Sequence, residues 1–182
     1  MFCDFGGAYR VTKHLIEQGA KRIAHIGGPT NLKIYEHRKQ GFLKAIEDAG
    51  LKADKELIIH NSLRRDDGVD AIRKLMNKSR KIDAIFCAND TTALSAIIYL
   101  KNLRIRIPDD IQIMGFSNEP FSEVTTPSIS TVKQPGFLMG QKAAELLIKQ
   151  INSKKNITEY QTLIMPTELI IRESSQKIKR LV

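Results

Sequence analysis

Apolar positions along this chain switch repeatedly between two spacings. Ala8, Val11, Leu15 and Ile16 recur at helical intervals and stop at Gly19, after which "RIAHIGGP" runs as a short apolar strand into Gly27-Gly28-Pro29. Phe42, Leu43, Ile46 and Ala49 restore the helical spacing up to Gly50, and "ELIIHN" is extended again. Val69, Ile72, Leu75 and Met76 share one helix face, "DAIFCAND" is a strand, and Thr91 to Leu103 is a helix. "DIQIMGFSN" and "ISTVKQ" read as strands, Phe137–Ile151 as a helix, and "TLIMPTELIIRES" as extended chain. Strands alternating with helices of about ten residues or more predict a parallel sheet flanked by helices, an α/β Rossmann-like fold.

In such sheets ligands gather beyond the carboxyl ends of the strands. Asp4, Gly27-Gly28, Asn61, Asn89-Asp90 and Ser117-Asn118 each follow a predicted strand, so they are expected along one edge. For Asn89 and Asp90 two readings stand side by side. Either they cap the helix that follows, or they form one wall of a cleft.

Composition narrows the class. The 182 residues suffice for one domain or two small lobes, with 42% hydrophobic and 27% charged positions. No apolar run approaches a membrane span, and no secretory pattern follows Met1. Cys3 and Cys87 sit in apolar runs without paired spacing, which suits buried thiols in the reducing cytoplasm. The net charge of +9 comes from lysines scattered over helix faces (Lys13, Lys44, Lys74, Lys149) and a tail cluster at Lys177, Lys179 and Arg180. That distribution favours a solvated surface over a direct nucleic-acid site. His14, His25, His37 and His60 lack zinc spacing, so no metal is expected. No nucleophile elbow, phosphate loop or dinucleotide fingerprint occurs, which predicts neither a cofactor nor an enzyme. His37 beside Arg38 suggests acid–base chemistry, but no partner nucleophile accompanies it.

Seven segments carry a resemblance: "CDFGGAYRVTKHLIEQGAKRIAHIGGP", "RKQGFLKAIEDAG", "DAIFCANDTTALSA", "IPDDIQIMGFSNEP", "TPSISTVKQP", "MGQKAAELL" and "ELIIRES". Their order and spacing resemble the effector-binding region of LacI/GalR-family bacterial transcription regulators, from about Asp4 to Ser174. The resemblance implies a type I periplasmic-binding-protein-like fold, with two Rossmann-like lobes closing on a sugar, sugar phosphate or nucleoside-like effector. Against the family pattern, the C-terminal lobe is expected at about 20–130 and 161–174. Remnants of the N-terminal lobe are expected at about 1–19 and 131–160. The helix-turn-helix headpiece is missing from the pattern, so operator DNA is expected as a partner only through the headpiece of a parent protein. A transport-type periplasmic sugar-binding protein shares the fold and is the alternative. The lack of an export signal and the regulator-like "TVKQP" and "LIIRES" segments count against it.

The resemblance also implies effector-contacting residues. Arg38, expected in the first turn of its helix, matches an arginine that grips hydroxyls or phosphate through its planar fork; a solvated arginine is the plain alternative. Asn89 matches a contact able to donate and accept, or it serves only as a cap. Asp4, at a strand end, has the same dual reading. Ser117 stands where many members carry aspartate, which leaves Arg38 less neutralised and mildly favours an acidic or phosphorylated effector. Leu63 either touches the ligand or anchors a loop. Gln134 either contacts the effector near a hinge or simply ends a strand. The helix from Thr91 is apolar nearly all round, and the matching family helix lies in a homodimer interface. Leu94, Ile98 and Phe121 are the residues expected there, with internal burial as the competing explanation. Finally, helices at Gly6–Glu17 and Phe137–Ile151 are expected to lack a sheet, exposing Val11, Leu15, Leu146 and Leu147.

Overall fold

Strands β1 (Ile23–Gly27), β3 (Ala84–Cys87) and β4 (Gln112–Met114) are buried at every position. Strands covered on both faces read as near-continuous apolar runs, as these do apart from His25 and Gln112. The computed structural model describes residues 3–77, 81–152 and 162–177. With β2 (Ile58–His60), which a single 3-10 turn at Lys55–Leu57 precedes, the strands form a parallel sheet in the order β2-β1-β3-β4. His25 pairs with Ile58 on one side and with Phe86 on the other, and Phe86 pairs with Met114.

The period-two geometry of a strand sorts the core into two layers. Ile23, Ala84, Phe86, Met114 and Phe116 face Ala8, Val11 and Leu15 of α1 (Asp4–Glu17) and Phe42 and Ile46 of α2 (Lys33–Asp48). Ala24, Ile26, Ile85, Cys87 and Ile113 face Ala71, Ile72 and Leu75 of α3 (Arg65–Met76) and Ala93, Ala96, Ile97 and Leu100 of α4 (Asp90–Asn102). The doubly covered α/β architecture therefore follows the pattern in the sequence. At Gly41 a Cβ would strike the Phe5 carbonyl, so the missing side chain lets α1 and α2 lie close together.

After β4 come the short helix α5 (Phe121–Val124) and β5 (Thr131–Lys133). Ser130 bridges to Met114 and Lys133 to Ser117, so β5 continues the sheet edge in parallel. It then pairs antiparallel with β6 (Glu168–Ile170), joining Thr131 to Ile170. Between them runs α6 (Gly136–Asn152), in which no residue is buried.

Several expectations need correction. Asp4 is the first residue of α1, and the strand expected before it lies outside the described residues. Val11 and Leu15 are completely buried, because α1 seals the sheet face beside α2 instead of standing without a sheet. Burying two such side chains contributes about 1.5–3 kcal/mol each. Leu146 and Leu147 on α6, by contrast, are exposed. Arg38 lies in the second turn of α2, which starts at Lys33. Helix α4 packs on the sheet and, alongside, on α3, with Gly68 against Ser95; Leu94 and Phe121 are half-buried and Ile98 is 39% exposed. Residues 153–161, and Lys179 and Arg180 of the basic tail, lie outside the described residues.

Both cysteines are unpaired and Cys87 is fully buried, which pushes its thiol pKa up. Among the described residues, no group of three or more His, Cys, Asp or Glu is placed to hold a metal ion, and no helix is long and apolar enough to cross a membrane.

Candidate functional site

The carboxyl ends of β3, β4 and β5 and the starts of α1 and α4 surround a hollow of about 310 Å³. That is the lower end of the range for small-molecule sites. Asp4, Arg38, Asn89, Ser117 and Gln134 all line it. They come from five separate segments, and the parallel topology brings them together. Ile34, Tyr35, Asp90, Thr91 and Glu119 complete the lining.

Arg38 is held before any ligand arrives. Its Nε and Nη2 donate to Asp4 Oδ1 at 2.9 and 2.8 Å, and its Nη1 donates to the Ala88 carbonyl at 2.6 Å. The guanidinium lies 3.8 Å from the Phe116 ring centre and 5.6 Å from that of Tyr35. Stacking and side-on pairing of this kind suit arginine and not lysine. Burial lowers the Arg38 pKa, and Asp4 opposes that shift. The expectation of an under-neutralised Arg38 is therefore corrected: Asp4, not the residue at 117, supplies its counter-charge.

Asn89 both caps α4 and lines the hollow. Its Oδ1 accepts from Thr92 N at 2.9 Å as the N-cap of α4, and its Nδ2 donates to the Leu63 carbonyl at 3.2 Å. One N–H of the amide remains for the hollow. Asp90 is fully buried: Oδ1 accepts from Thr131 Oγ1 at 2.6 Å and Oδ2 from Glu119 N at 2.8 Å. Burial raises its pKa, and those two hydrogen bonds work against the shift. Gly115 has to be glycine here, since a Cβ would collide with Asp90 Oδ1.

Ser117 and Asn118 adopt φ of +126° and +54°. For residues other than glycine such values cost about 1–3 kcal/mol each, and they persist only where surroundings enforce them. Among the described residues the Ser117 hydroxyl and the Gln134 amide have no hydrogen-bond partner, so both are available to a ligand.

Leu63 is the exception among the expected residues. Its side chain is 4% exposed and belongs to the core beneath α3 and α4, so it anchors the loop; only its carbonyl, bound by Asn89, supports the site. Asn61 also stays outside the hollow, with its amide closing a turn onto Leu63 N and the Asp67 carbonyl. Gly27 and Gly28 line no part of it either. Sequence reasoning missed Tyr35 and Glu119. Tyr35 was detectable three residues before Arg38, on the same helix face. Glu119 lies in an irregular turn and has no periodic signal. A larger depression of about 630 Å³ lies at the opposite end of α4, where three of the four charged side chains lining it are engaged: Lys101 with the Thr126 carbonyl, Arg106 with Asp110, and Glu173 with Ser128.

The periplasmic binding protein-like domain family matches residues 12–175. The HTH-type transcriptional regulator CelR of Thermobifida fusca is 34% identical over 171 residues, covering 94% of this chain and 50% of that protein. A solved CelR–cellobiose complex superposes with a TM-score of 0.89 at 34% identity, over 95% of this chain and 52% of that one. The HTH-type transcriptional repressor PurR of Haemophilus influenzae is 33% identical over 176 residues, covering 96% of this chain and 52% of that protein. A LacI transcriptional regulator structure from Bacillus cereus has a TM-score of 0.88 at 28% identity, over 96% of this chain and 61% of that one. The chain spans about half the length of the curated relatives it matches.

Proposed function

This chain belongs to the periplasmic-binding-protein-like domain family, among the LacI-type regulators, and on that premise we propose that it senses a small-molecule effector for a DNA-binding transcriptional regulator. One observation carries the reading. Five polar side chains from separate segments border a single hollow, and two of them, Ser117 and Gln134, keep unused hydrogen-bonding groups. The effector is a neutral, hydroxyl-rich molecule such as a sugar or nucleoside. Asp4 already neutralises Arg38, and Asp90 and Glu119 add carboxylates to the lining, so a phosphate is poorly matched.

The same reading assigns α6 to a second lobe, with β5 on the edge of the first sheet, and treats Leu94, Ile98 and Phe121 as a homodimer contact. Operator binding belongs to a headpiece elsewhere in a parent protein. The domain works in the cytoplasm and turns over no substrate. Effector binding acts by favouring one arrangement of the lobes over another. The test is a thermal-shift screen of neutral sugars, nucleosides and sugar phosphates, with cellobiose as first probe because the CelR complex holds it. A hit lost in both Asn89→Ala and Gln134→Ala supports the site. A hit indifferent to both moves the effector elsewhere.

A further inference from the structure

The Ser117–Asn118 turn is held from outside the hollow it helps to line. Arg172, two residues beyond β6, donates from Nη2 to Asn118 Oδ1 at 3.0 Å. From Nη1 it donates to the Ile129 carbonyl at 2.8 Å and to Ser122 Oγ at 3.3 Å. Its backbone is fixed too: Arg172 N donates to Ser130 Oγ, and that hydroxyl donates to the Arg172 carbonyl. Asn118 N donates to Thr131 Oγ1, which in turn donates to Asp90. Arg172 does not itself line the hollow.

We propose that Arg172 is a positioning residue for the effector site. Resting on the effector reading above, the proposal is that its fork grips the Asn118 side-chain carbonyl, holds the turn at positive φ and so aims the Ser117 hydroxyl at the ligand. The guanidinium is suited to this because one planar group reaches Asn118, Ser122 and Ile129 together. It also links the β5–β6 pair to the turn, so any displacement of that pair is passed to Ser117.

The experiment follows the turn by NMR in the 182-residue chain, reading the three-bond amide–Hα couplings and amide shifts of Ser117 and Asn118, and then titrates cellobiose. Arg172→Met and Arg172→Lys should both lose the positive-φ signature while signals from the sheet stay in place. Asn118→Ala removes the acceptor alone and should have the same effect, with no added loss when combined with Arg172→Met. Asn118→Gly in the Arg172→Met background should recover the turn, because glycine reaches positive φ without a tether. Cellobiose affinity should fall about tenfold in the first three variants and return in the glycine rescue. Ser122→Ala, which removes another bond to the same guanidinium, should leave the turn unchanged. Unchanged couplings in folded Arg172→Met or Arg172→Lys, or additive losses with Asn118→Ala, would overturn the proposal. Cellobiose leaving the wild-type hollow unperturbed would count against the effector reading, and the couplings would still decide whether Arg172 sets the turn.

Discussion

Arg38 and Asp4, 34 positions apart in the chain, form a buried ion pair of 2.8 Å beside the Phe116 ring. The pair fastens the start of α1 to α2 at the mouth of the hollow. Removing one partner strands a buried charge, so Asp4→Ala and Arg38→Ala should each cost about 3–5 kcal/mol. Replacing both by apolar residues, as in Asp4→Leu with Arg38→Met, should recover much of that loss, and cellobiose binding should remain absent. Urea unfolding midpoints compared at constant m separate these outcomes; additive losses in the double variant would count against the pair.

Charge around the hollow makes a second prediction. Asp4, Asp90 and Glu119 outnumber Arg38, although the chain as a whole carries +9. A neutral sugar should therefore bind more tightly than its phosphorylated form, and added salt should narrow the gap by screening exposed Glu119. Glu119→Lys should shift the preference towards the phosphate. Calorimetric titration with a matched pair of ligands measures it, and tighter binding of the phosphate by the wild type would refute it.

The two duties of Asn89 can be separated. Asn89→Ala loses the cap on Thr92 N and should cost about 1 kcal/mol. Asn89→Asp keeps the capping oxygen, so more of the stability should survive, but it has no amide donor for Leu63 or for a ligand. Thermal unfolding and ligand titration of both variants should therefore disagree. Equal ligand affinity in Asn89→Asp and wild type would remove Asn89 from the contact set.

His25 links stability to pH. The ring stacks between Phe42 and Phe86, donates from Nδ1 to the Phe86 carbonyl, and leaves Nε2 buried without a partner. Burial lowers its pKa to about 3, from 6.5 when unfolded. The unfolded chain then binds the extra proton between those values. The stabilisation is complete above pH 6.5 and is lost as pH falls towards 3, at up to about 1.4 kcal/mol per pH unit. His14, whose pKa burial also lowers, adds to the same trend. His25→Phe should flatten this acid limb in denaturation curves taken from pH 7 to 4; an unchanged slope would show that His25 is not its source.

Ile98 tests the proposed homodimer contact. At 39% exposure it contributes little to the core, so Ile98→Glu should leave the unfolding midpoint almost unchanged. In sedimentation equilibrium it should weaken self-association. Ile97→Ala, one residue away and buried, should instead cost about 2–5 kcal/mol with no specific effect on association. The same association constant for Ile98→Glu and wild type would exclude this face.

The alternation of strand and helix, the succession of apolar runs and the gathering of polar residues at strand ends were determined by the sequence alone. Backbone periodicity and topology settle them without any knowledge of side-chain partners. Asn89, Ser117 and Gln134 could be placed on one hollow because each sits at or beside a strand end, whereas Arg38, inside α2, was placed there by the family resemblance. What only the tertiary structure decided depends on contacts between distant segments. Val11 and Leu15 are buried because α1 returns to the sheet, Leu63 turns inward under α3 and α4, and Arg38 meets its counter-charge on Asp4. The positive φ of Ser117 and Asn118 belongs to the same group, since Arg172 holds that turn from 54 residues away. Local pattern fixes which face a residue can present, and packing of the whole chain fixes what that face meets.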